Sequence, residues 1–254
     1  MPRKRLSDFS GYDVTQLLEV VQNQGFDKPK NSLIVVLKRI MDIPEYSCTI
    51  NMKAEEGVID FVKKWELKYL TGYNNRPSKR TSNPISTQHD DILDEIISAR
   101  IANKTDDLDA IKYGHRLAMS AENITGSLLE EYVAINLLNF GWHCCWGETM
   151  KSVDFCCTDG RLLQIKNSDN SENSSSKAIR EGTEILHWFR RFSRTGETNW
   201  PALNNLVGIA TVSKHLTEKS FRKFVRDTVT NNPGSVFLES ESPWQTNLQG
   251  NKES

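Results

Sequence analysis

The sequence lacks any apolar segment long enough to cross a membrane. Its 254 residues contain no run of about eighteen apolar residues, the length that suggests a transmembrane helix. The basic residues near the start, Arg3, Lys4 and Arg5, are not followed by the apolar stretch of a secretory signal. We therefore expect a cytoplasmic protein that has no membrane partner.

The sequence also lacks the cysteine pattern of a disulfide-bonded secreted protein. It has five cysteines, an odd number, and four of them form the adjacent pairs Cys144–Cys145 and Cys156–Cys157. Neighbouring residues on a strand point to opposite faces, so neither pair has the spacing of a zinc site. We expect these cysteines and Cys48 to be reduced and to serve as small buried apolar residues.

A strong net charge is absent as well, but the charges are unevenly distributed. The formal net charge is −1, whereas residues 177–226 contain ten lysines and arginines against four acidic residues. A basic region of this kind favours a polyanionic partner such as nucleic acid.

The first part of the chain predicts helices separated at Pro29 and Pro44. Residues 73–88 are rich in Asn, Ser, Thr, Pro and basic residues and predict a linker, and a helix is expected over residues 90–102. We therefore expect a helical N-terminal region with its linker (1–88) and a second region (89–254). The apolar residues at helical spacing are Val14, Leu17, Leu18 and Val21, then Leu33, Val36, Leu37 and Ile40, and then Ile59, Val62, Trp65 and Leu70.

The second region alternates between helical and strand patterns. A regular helix is expected over residues 120–140, with Ser120 as its cap and Gly141 at its end. The elements expected after it are a strand at 142–146, a hairpin within 152–170, a helix at 177–192, a strand at 206–212, a helix at 218–229 and a strand at 233–238. This order predicts an α/β (α+β) fold with a mixed central sheet flanked by helices.

The hairpin has two possible registers. A two-residue loop would send its polar residues to opposite sides of the sheet. A three-residue loop at 158–160, with Gly160 in the left-handed conformation, pairs Cys157 with Arg161 and Asp154 with Gln164. In that register Asp154, Gln164 and Lys166 share one face, and the buried face carries Phe155, Leu163 and Ile165.

A face of this kind can hold a divalent cation beside a lysine. Mg²⁺ takes oxygen ligands and keeps several waters, so a few protein oxygens suffice. We expect Asp154 to be the main ligand, with the Ile165 carbonyl and the Gln164 amide oxygen as further ligands. Lys166 would orient the attacking water and stabilise developing charge, and Glu130 on the preceding helix would restore the negative charge that Gln164 lacks. These groups suit phosphodiester hydrolysis.

An aspartate followed by Gln-x-Lys is common by chance and also fits a solvated surface strand, so the neighbouring motifs matter. The order GSLLEEYVAINLLNFGW, VDF and LLQIKN resembles the core of PD-(D/E)xK nucleases, with Val153 at the usual proline and Gln164 at the second acid. More narrowly, residues 119–200 resemble the SinI type of type II restriction endonuclease. The stretches that carry this resemblance are MSAENITGSLLEEY, WGETMKSVDF, LLQIKNSDNSENSSSKAIR and FSRTGETNW.

The resemblance implies a restriction-endonuclease-like core and a Mg²⁺-dependent endonuclease that acts as a homodimer on double-stranded DNA. The site would be short and nearly palindromic, GGWCC in the SinI type, and a paired cytosine methyltransferase would protect host DNA. By position, Asp154, Gln164 and Lys166 match the nuclease motif and Glu130 matches the helix acid. The departure at Gln164 leaves the number of bound metal ions open.

Residues after the catalytic strand are the candidates for contacting DNA. Arginine commonly reads guanine through two hydrogen bonds, so Arg180 is the first choice for a G·C pair. The serines fit helix capping equally well, and Arg190, Arg191 and Arg194 fit either phosphate contacts or plain surface. The full set is Asn170, Asn173, Ser174, Ser175, Ser176, Lys177, Arg180, Arg190, Arg191 and Arg194.

Two alternative functions remain open from the sequence. A repair or junction-resolving nuclease of the same fold would recognise the shape of DNA instead of a base sequence. A catalytically inactive DNA-binding protein is the other alternative, because Gln164 replaces an acid of the motif.

Overall fold

The structure, a computed structural model, describes residues 1–22, 30–84, 90–101, 107–170, 184–209 and 216–245. None of the helices in these ranges is long and apolar enough to cross a membrane. The helices are α1 (Val14–Gln22), α2 (Lys30–Asp42), α3 (Val58–Asn74), α4 (Asp91–Arg100), α5 (Leu108–Leu137), α6 (Trp200–Leu206) and α7 (Glu218–Asn231). The strands are β1 (Arg3–Lys4), β2 (Ile50–Asn51), β3 (Trp142–Cys144), β4 (Phe155–Cys157), β5 (Leu162–Ser168) and β6 (Ile185–Arg191).

The chain forms two compact units. The first comprises residues 1–76 and 129–224, and the second comprises residues 77–128 and 225–254. The expected boundary at residue 88 lies outside the described residues, and the division into regions 1–88 and 89–254 stays a prediction.

The first unit is built on a four-stranded mixed sheet in the order β3-β4-β5-β6. The β3–β4 and β4–β5 pairs are antiparallel, whereas β5 and β6 are parallel. The predicted mixed sheet flanked by helices is therefore confirmed. The parallel pair brings the carboxyl ends of β5 and β6 to the same edge of the sheet.

The hairpin between β4 and β5 has the register expected of a three-residue loop. Phe155 lies opposite Leu163, and the Cys157 amide donates to the Arg161 carbonyl at 2.8 Å. Gly160 closes the loop at φ +96°, a left-handed conformation that glycine adopts without steric cost. Asp154 directly precedes β4 and therefore lies across from the β5 residues of the predicted motif, Gln164 and Lys166.

The N-terminal helices cover one face of this sheet. Their buried residues form one apolar core with Cys156, Leu162 and Ile185 of the strands. Gln164 lies on this face and is only 5% exposed, so the face that we expected to be polar is largely covered. That expectation was wrong in treating only the Phe155 face as buried, because the N-terminal helices pack on the other face.

The opposite face is covered by aromatic residues from three helices. Trp188 of β6 packs against Trp200 of α6 at a ring distance of 5.1 Å. Trp200 in turn contacts Tyr132 of α5 at 5.6 Å and Phe221 of α7 at 5.7 Å. These contacts fix α5, which carries Glu130, against the sheet.

The three expected N-terminal helices are confirmed, and Pro44 follows the end of α2. Most of their predicted apolar residues are buried, although Val14 is 45% exposed. Pro29 lies outside the described residues. The short β1–β2 ribbon, in which Arg3 pairs with Asn51, was not expected. The five cysteines are free and buried, as expected.

The long helix α5 differs from its prediction at the start. It begins at Leu108, so Ser120 lies inside the helix and does not cap it. The Ser120 hydroxyl instead accepts a hydrogen bond from the Phe237 amide at 2.8 Å. The end was predicted correctly, since Gly141 follows a 3-10 turn with φ +79°. Phe140, expected in the apolar stripe, is 38% exposed.

Three predicted elements in the last part of the chain are wrong. The helix expected over 177–192 is the strand β6 from Ile185 onward, and residues 171–183 lie outside the described residues. Leu206 ends α6, and no strand occurs at 207–209, while 210–212 are outside the described ranges. Residues 233–235 form a 3-10 turn, and residues 236–238 belong to no strand.

Candidate active site

Asp154 is held in position from three sides. Its amide donates to the Leu163 carbonyl at 3.0 Å, and its carbonyl accepts from the Cys145 amide at 2.8 Å. Its carboxylate Oδ2 accepts from the amide of Ile165 at 2.7 Å. The carboxylate therefore lies beside the backbone of β5, next to Gln164 and Lys166.

Asp154, Glu130 and Lys166 are close enough to interact electrostatically. Burial raises the pKa of Asp154 to about 6, while the Ile165 hydrogen bond and the charge of Lys166 act to lower it. Burial also raises the pKa of Glu130 to about 8, with a further rise from Asp154 and an opposing effect of Lys166. The structure thus brings the three predicted ionisable residues together in one place.

Gln164 contributes an oxygen without a partner. Its side chain is buried, and its amide Oε1 has no hydrogen-bond partner among the described residues. A buried acceptor left in this state costs roughly 1–3 kcal/mol. A bound cation is one group that would satisfy it, so this oxygen fits the expected metal site. Within the described ranges, however, no three His, Cys, Asp or Glu side chains are placed to hold a metal ion together.

The sequence reasoning missed Glu148, in the loop between β3 and β4. Its side chain is exposed and its charge raises the pKa of both Glu130 and Asp154. Its φ of +54° is unusual for a residue other than glycine. Backbone strain of this kind clusters at functional sites. An acid beside Gly147, directly between the strand and the hairpin, was the signal available in the sequence.

The loop that carries Glu148 is fixed against α3 through two glycines. A Cβ on Gly147 would lie 2.3 Å from the Lys68 carbonyl oxygen, and one on Gly72 would lie 2.2 Å from the Gly147 nitrogen. The Thr149 carbonyl also accepts a hydrogen bond from Trp65 at 3.2 Å.

We refer to Glu130, Glu148, Asp154 and Lys166 as the acidic cluster.

The residues expected to contact DNA have different surroundings. Asn170, Arg191 and Arg194 are exposed. Arg190 is held within the fold, because it donates to Asn167 at 2.8 Å and to both carboxylate oxygens of Glu218 at 2.8 and 2.9 Å. The other candidates lie outside the described residues, namely Asn173, Ser174, Ser175, Ser176, Lys177 and Arg180.

The chain is similar to known restriction enzymes over most of its length. It is 37% identical over 197 residues to the type II restriction enzyme SinI of Salmonella infantis, covering 75% of this chain and 83% of that enzyme. It is 41% identical over 167 residues to the type II restriction enzyme Eco47I of Escherichia coli, covering 63% of this chain and 71% of that enzyme. The sequence model of the SinI restriction endonuclease family matches residues 23–231. The chain therefore belongs to the SinI restriction endonuclease family.

Proposed function

We propose that this chain is a Mg²⁺-dependent type II site-specific deoxyribonuclease that hydrolyses phosphodiester bonds in double-stranded DNA at a short sequence. The observation that carries the proposal is the acidic cluster at the junction of β4 and β5 in a chain of this family. Its two partly buried carboxylates, Glu130 and Asp154, interact electrostatically with Lys166. The names of the relatives favour this function over a repair nuclease and over an inactive DNA-binding protein.

Asp154, Glu130, the Gln164 amide oxygen and the Ile165 carbonyl would hold the cation. Their chemistry fits Mg²⁺, which prefers oxygen ligands and completes its shell with water. Burial raises the pKa of both carboxylates, and a bound cation would favour their charged forms. When bound, Mg²⁺ would supply Lewis acidity toward the phosphate oxygens and a lowered pKa for a water.

Lys166 and Asp154 would carry out the positioning. The hydrogen bond from the Ile165 amide fixes the Asp154 carboxylate beside β5, at 2.7 Å. Lys166 follows on the same strand, where its ammonium group would orient the attacking water and stabilise the charge that develops on the phosphate. Glu130, from α5, would add the negative charge that the neutral Gln164 cannot supply.

We further propose a homodimer that recognises GGWCC in a restriction–modification system with a paired DNA methyltransferase. A two-fold symmetric site is read most simply by a two-fold symmetric protein. The second unit has apolar side chains that suit association with a second copy, since Ile92 and Ile96 of α4 are 62% and 60% exposed. Asn170, Arg191 and Arg194 would contact DNA, with Arg180 reading a G·C pair. Light scattering tests the proposed association through α4, because we expect the Ile92→Lys/Ile96→Lys variant to be monomeric.

The function is tested by digesting a sequenced plasmid with purified protein, with Mg²⁺ or with EDTA, and by mapping every cut end. We expect discrete Mg²⁺-dependent cuts at one repeated short sequence. Cuts at DNA structures without a shared sequence would favour the repair alternative. Binding without cleavage in the wild-type protein would favour the inactive alternative.

A further inference from the structure

Helix α7 begins with a basic face that the proposed chemistry does not use. Lys219, Arg222 and Lys223 are exposed, and their spacing of three and four residues puts them on the same side of the helix. The Arg222 side chain is 77% exposed. Phe221, on the other side, packs on Tyr132 and Trp200 at 5.3 and 5.7 Å. We call Lys219, Arg222 and Lys223 the basic face of α7.

The one acid among the first residues of α7 does not cancel this positive charge. Glu218 is 19% exposed and is bound by Arg190 at 2.8 Å. It also accepts hydrogen bonds from Trp200 Nε1 at 2.9 Å and from Arg222 Nε at 3.1 Å. Arg190 and Arg222 share Glu218, and residues 218–227 carry four basic residues against two acids, so this part of α7 has a net positive charge.

The start of α7 is tied to the catalytic strand. Asn167, next to Lys166 near the carboxyl end of β5, accepts a hydrogen bond from Arg190 at 2.8 Å. Arg190 in turn binds Glu218, the first residue of α7. Because β5 and β6 are parallel, this chain of bonds holds the start of α7 at the sheet edge where the motif ends. Arg191 is the last residue of β6 and Arg194 follows it at the same edge, and both are exposed.

We propose that the basic face of α7 binds the phosphate backbone of the DNA duplex and so positions the substrate against the acidic cluster. This inference rests on the proposed function, which makes duplex DNA the substrate. Three cationic side chains on one helix face suit phosphates, whose contacts set register without carrying base information. The aromatic packing beneath α7 and the Arg190–Glu218 pair keep this face rigid relative to the catalytic strand.

Salt dependence of DNA binding tests the proposal. Each phosphate contact contributes about −0.9 to the slope of log K against log salt concentration. Binding of a short duplex is measured without divalent cation. We expect the slope for the variant Lys219→Gln/Arg222→Gln/Lys223→Gln to be smaller in magnitude than the wild-type slope by about 2–3. The sequence that is cut should stay the same. The matched control is Lys38→Gln/Lys53→Gln/Lys63→Gln, which removes three exposed charges from the N-terminal part.

The outcomes separate this inference from the proposed function. A reduced slope in the α7 variant and an unchanged slope in the control support the inference. Equal slopes in the wild-type protein and the α7 variant, or an equal loss in the control, overturn it. The double variant Lys219→Gln/Lys223→Gln leaves the Arg222–Glu218 contact intact and should lose about 2 from the slope if the triple variant is poorly folded. Failure of the proposed function would instead appear as the absence of specific cleavage by the wild-type protein.

Discussion

The acidic cluster and the Arg190–Glu218 pair are both partly buried groups of charges in the first unit, but only the pair is balanced. Glu218 is partly buried, yet hydrogen bonds from Trp200, Arg190 and Arg222 lower its pKa. Within the described ranges no such hydrogen bond reaches Glu130, and burial raises its pKa to about 8. A carboxylate held by hydrogen bonds favours its charged form, whereas a buried carboxylate without them resists ionisation, which is typical of functional sites.

The same contrast occurs between two consecutive residues of α5. Glu131 is 1% exposed, and its carboxylate lies 3.3 Å from Arg76 Nε. Glu130, one residue earlier, faces Asp154 and Lys166 instead. One helix thus carries a structural acid and a candidate catalytic acid side by side, which provides matched variants for separating the two roles.

The largest effect is expected from Asp154→Ala. Cleavage should fall by at least about 10³-fold, because the variant loses the charge that fixes the site against β5. Binding of duplex DNA should persist. Asp159→Ala is the control, since Asp159 is an exposed acid in the adjacent loop. Single-turnover cleavage and gel-shift binding measure the two quantities, and full activity in Asp154→Ala would remove Asp154 from the site.

Glu131→Gln should affect stability strongly and the chemistry only indirectly. Removing one member of a buried ion pair typically costs about 3–5 kcal/mol. Glu130→Gln should have the opposite effect, with a higher melting temperature at pH 8 and above, because it removes a carboxylate whose ionisation is disfavoured by burial. Thermal unfolding of both variants measures this difference. A lower melting temperature for Glu130→Gln would contradict the account.

The pH dependence of stability follows from the raised pKa values. In the unfolded chain Glu130 and Asp154 titrate near 4.5 and 3.8, and in the fold near 8 and 6. Folding therefore favours their protonated forms. Their stabilising contribution is complete below the unfolded values and is lost as the pH rises through about 6 and then about 8. Denaturant unfolding of the metal-free protein against pH, with Glu130→Gln as the comparison, measures this loss.

Cation affinity should show the opposite pH dependence, since a cation requires the deprotonated carboxylates. Below about pH 8, where Glu130 becomes protonated, the apparent affinity should fall about tenfold per pH unit. The decline should steepen below about pH 6, where Asp154 also gains a proton. The Mg²⁺ concentration for half-maximal cleavage, measured from about pH 5 to about pH 9, reports this change. A constant value across that range would argue against these ligands.

The smallest effect is expected from Glu148→Gln. Its charge raises the pKa of Glu130 and Asp154, so the neutral amide should move the pH midpoint of the cation requirement downward. Because Glu148 is exposed, we expect a change of only a few fold in activity near neutral pH. The pH profile of cleavage measures the shift, and an unchanged midpoint would place Glu148 outside the cluster.

The sequence predicted the centre of the site better than its surroundings, for physical reasons. The register of the β4–β5 hairpin depends on one local feature, the left-handed glycine at Gly160. Asp154, Gln164 and Lys166 follow from that register. Strand β6 was mistaken for a helix because Leu186, Phe189 and Phe192 also fit helical spacing. Its conformation is decided by parallel pairing with β5, which is a tertiary contact.

Local sequence patterns could not predict the burial of Gln164 either. It depends on the N-terminal helices, which are far away in the sequence and pack over Cys156 and Leu162. The role of Arg190 also depends on a distant partner, Glu218. Helix periodicity predicted that the N-terminal helices exist, but it carried no information on which face of the sheet they cover.

The most direct test of the central claim is the cleavage of one mapped plasmid site at increasing Mg²⁺ concentrations by four proteins. These are the wild-type protein, Asp154→Ala, Glu130→Gln and the control Glu122→Gln, whose glutamate is exposed on the same helix as Glu130. The account predicts no cleavage by Asp154→Ala, a higher Mg²⁺ requirement for Glu130→Gln, and wild-type behaviour for Glu122→Gln. Equal Mg²⁺ curves for all four proteins would contradict it.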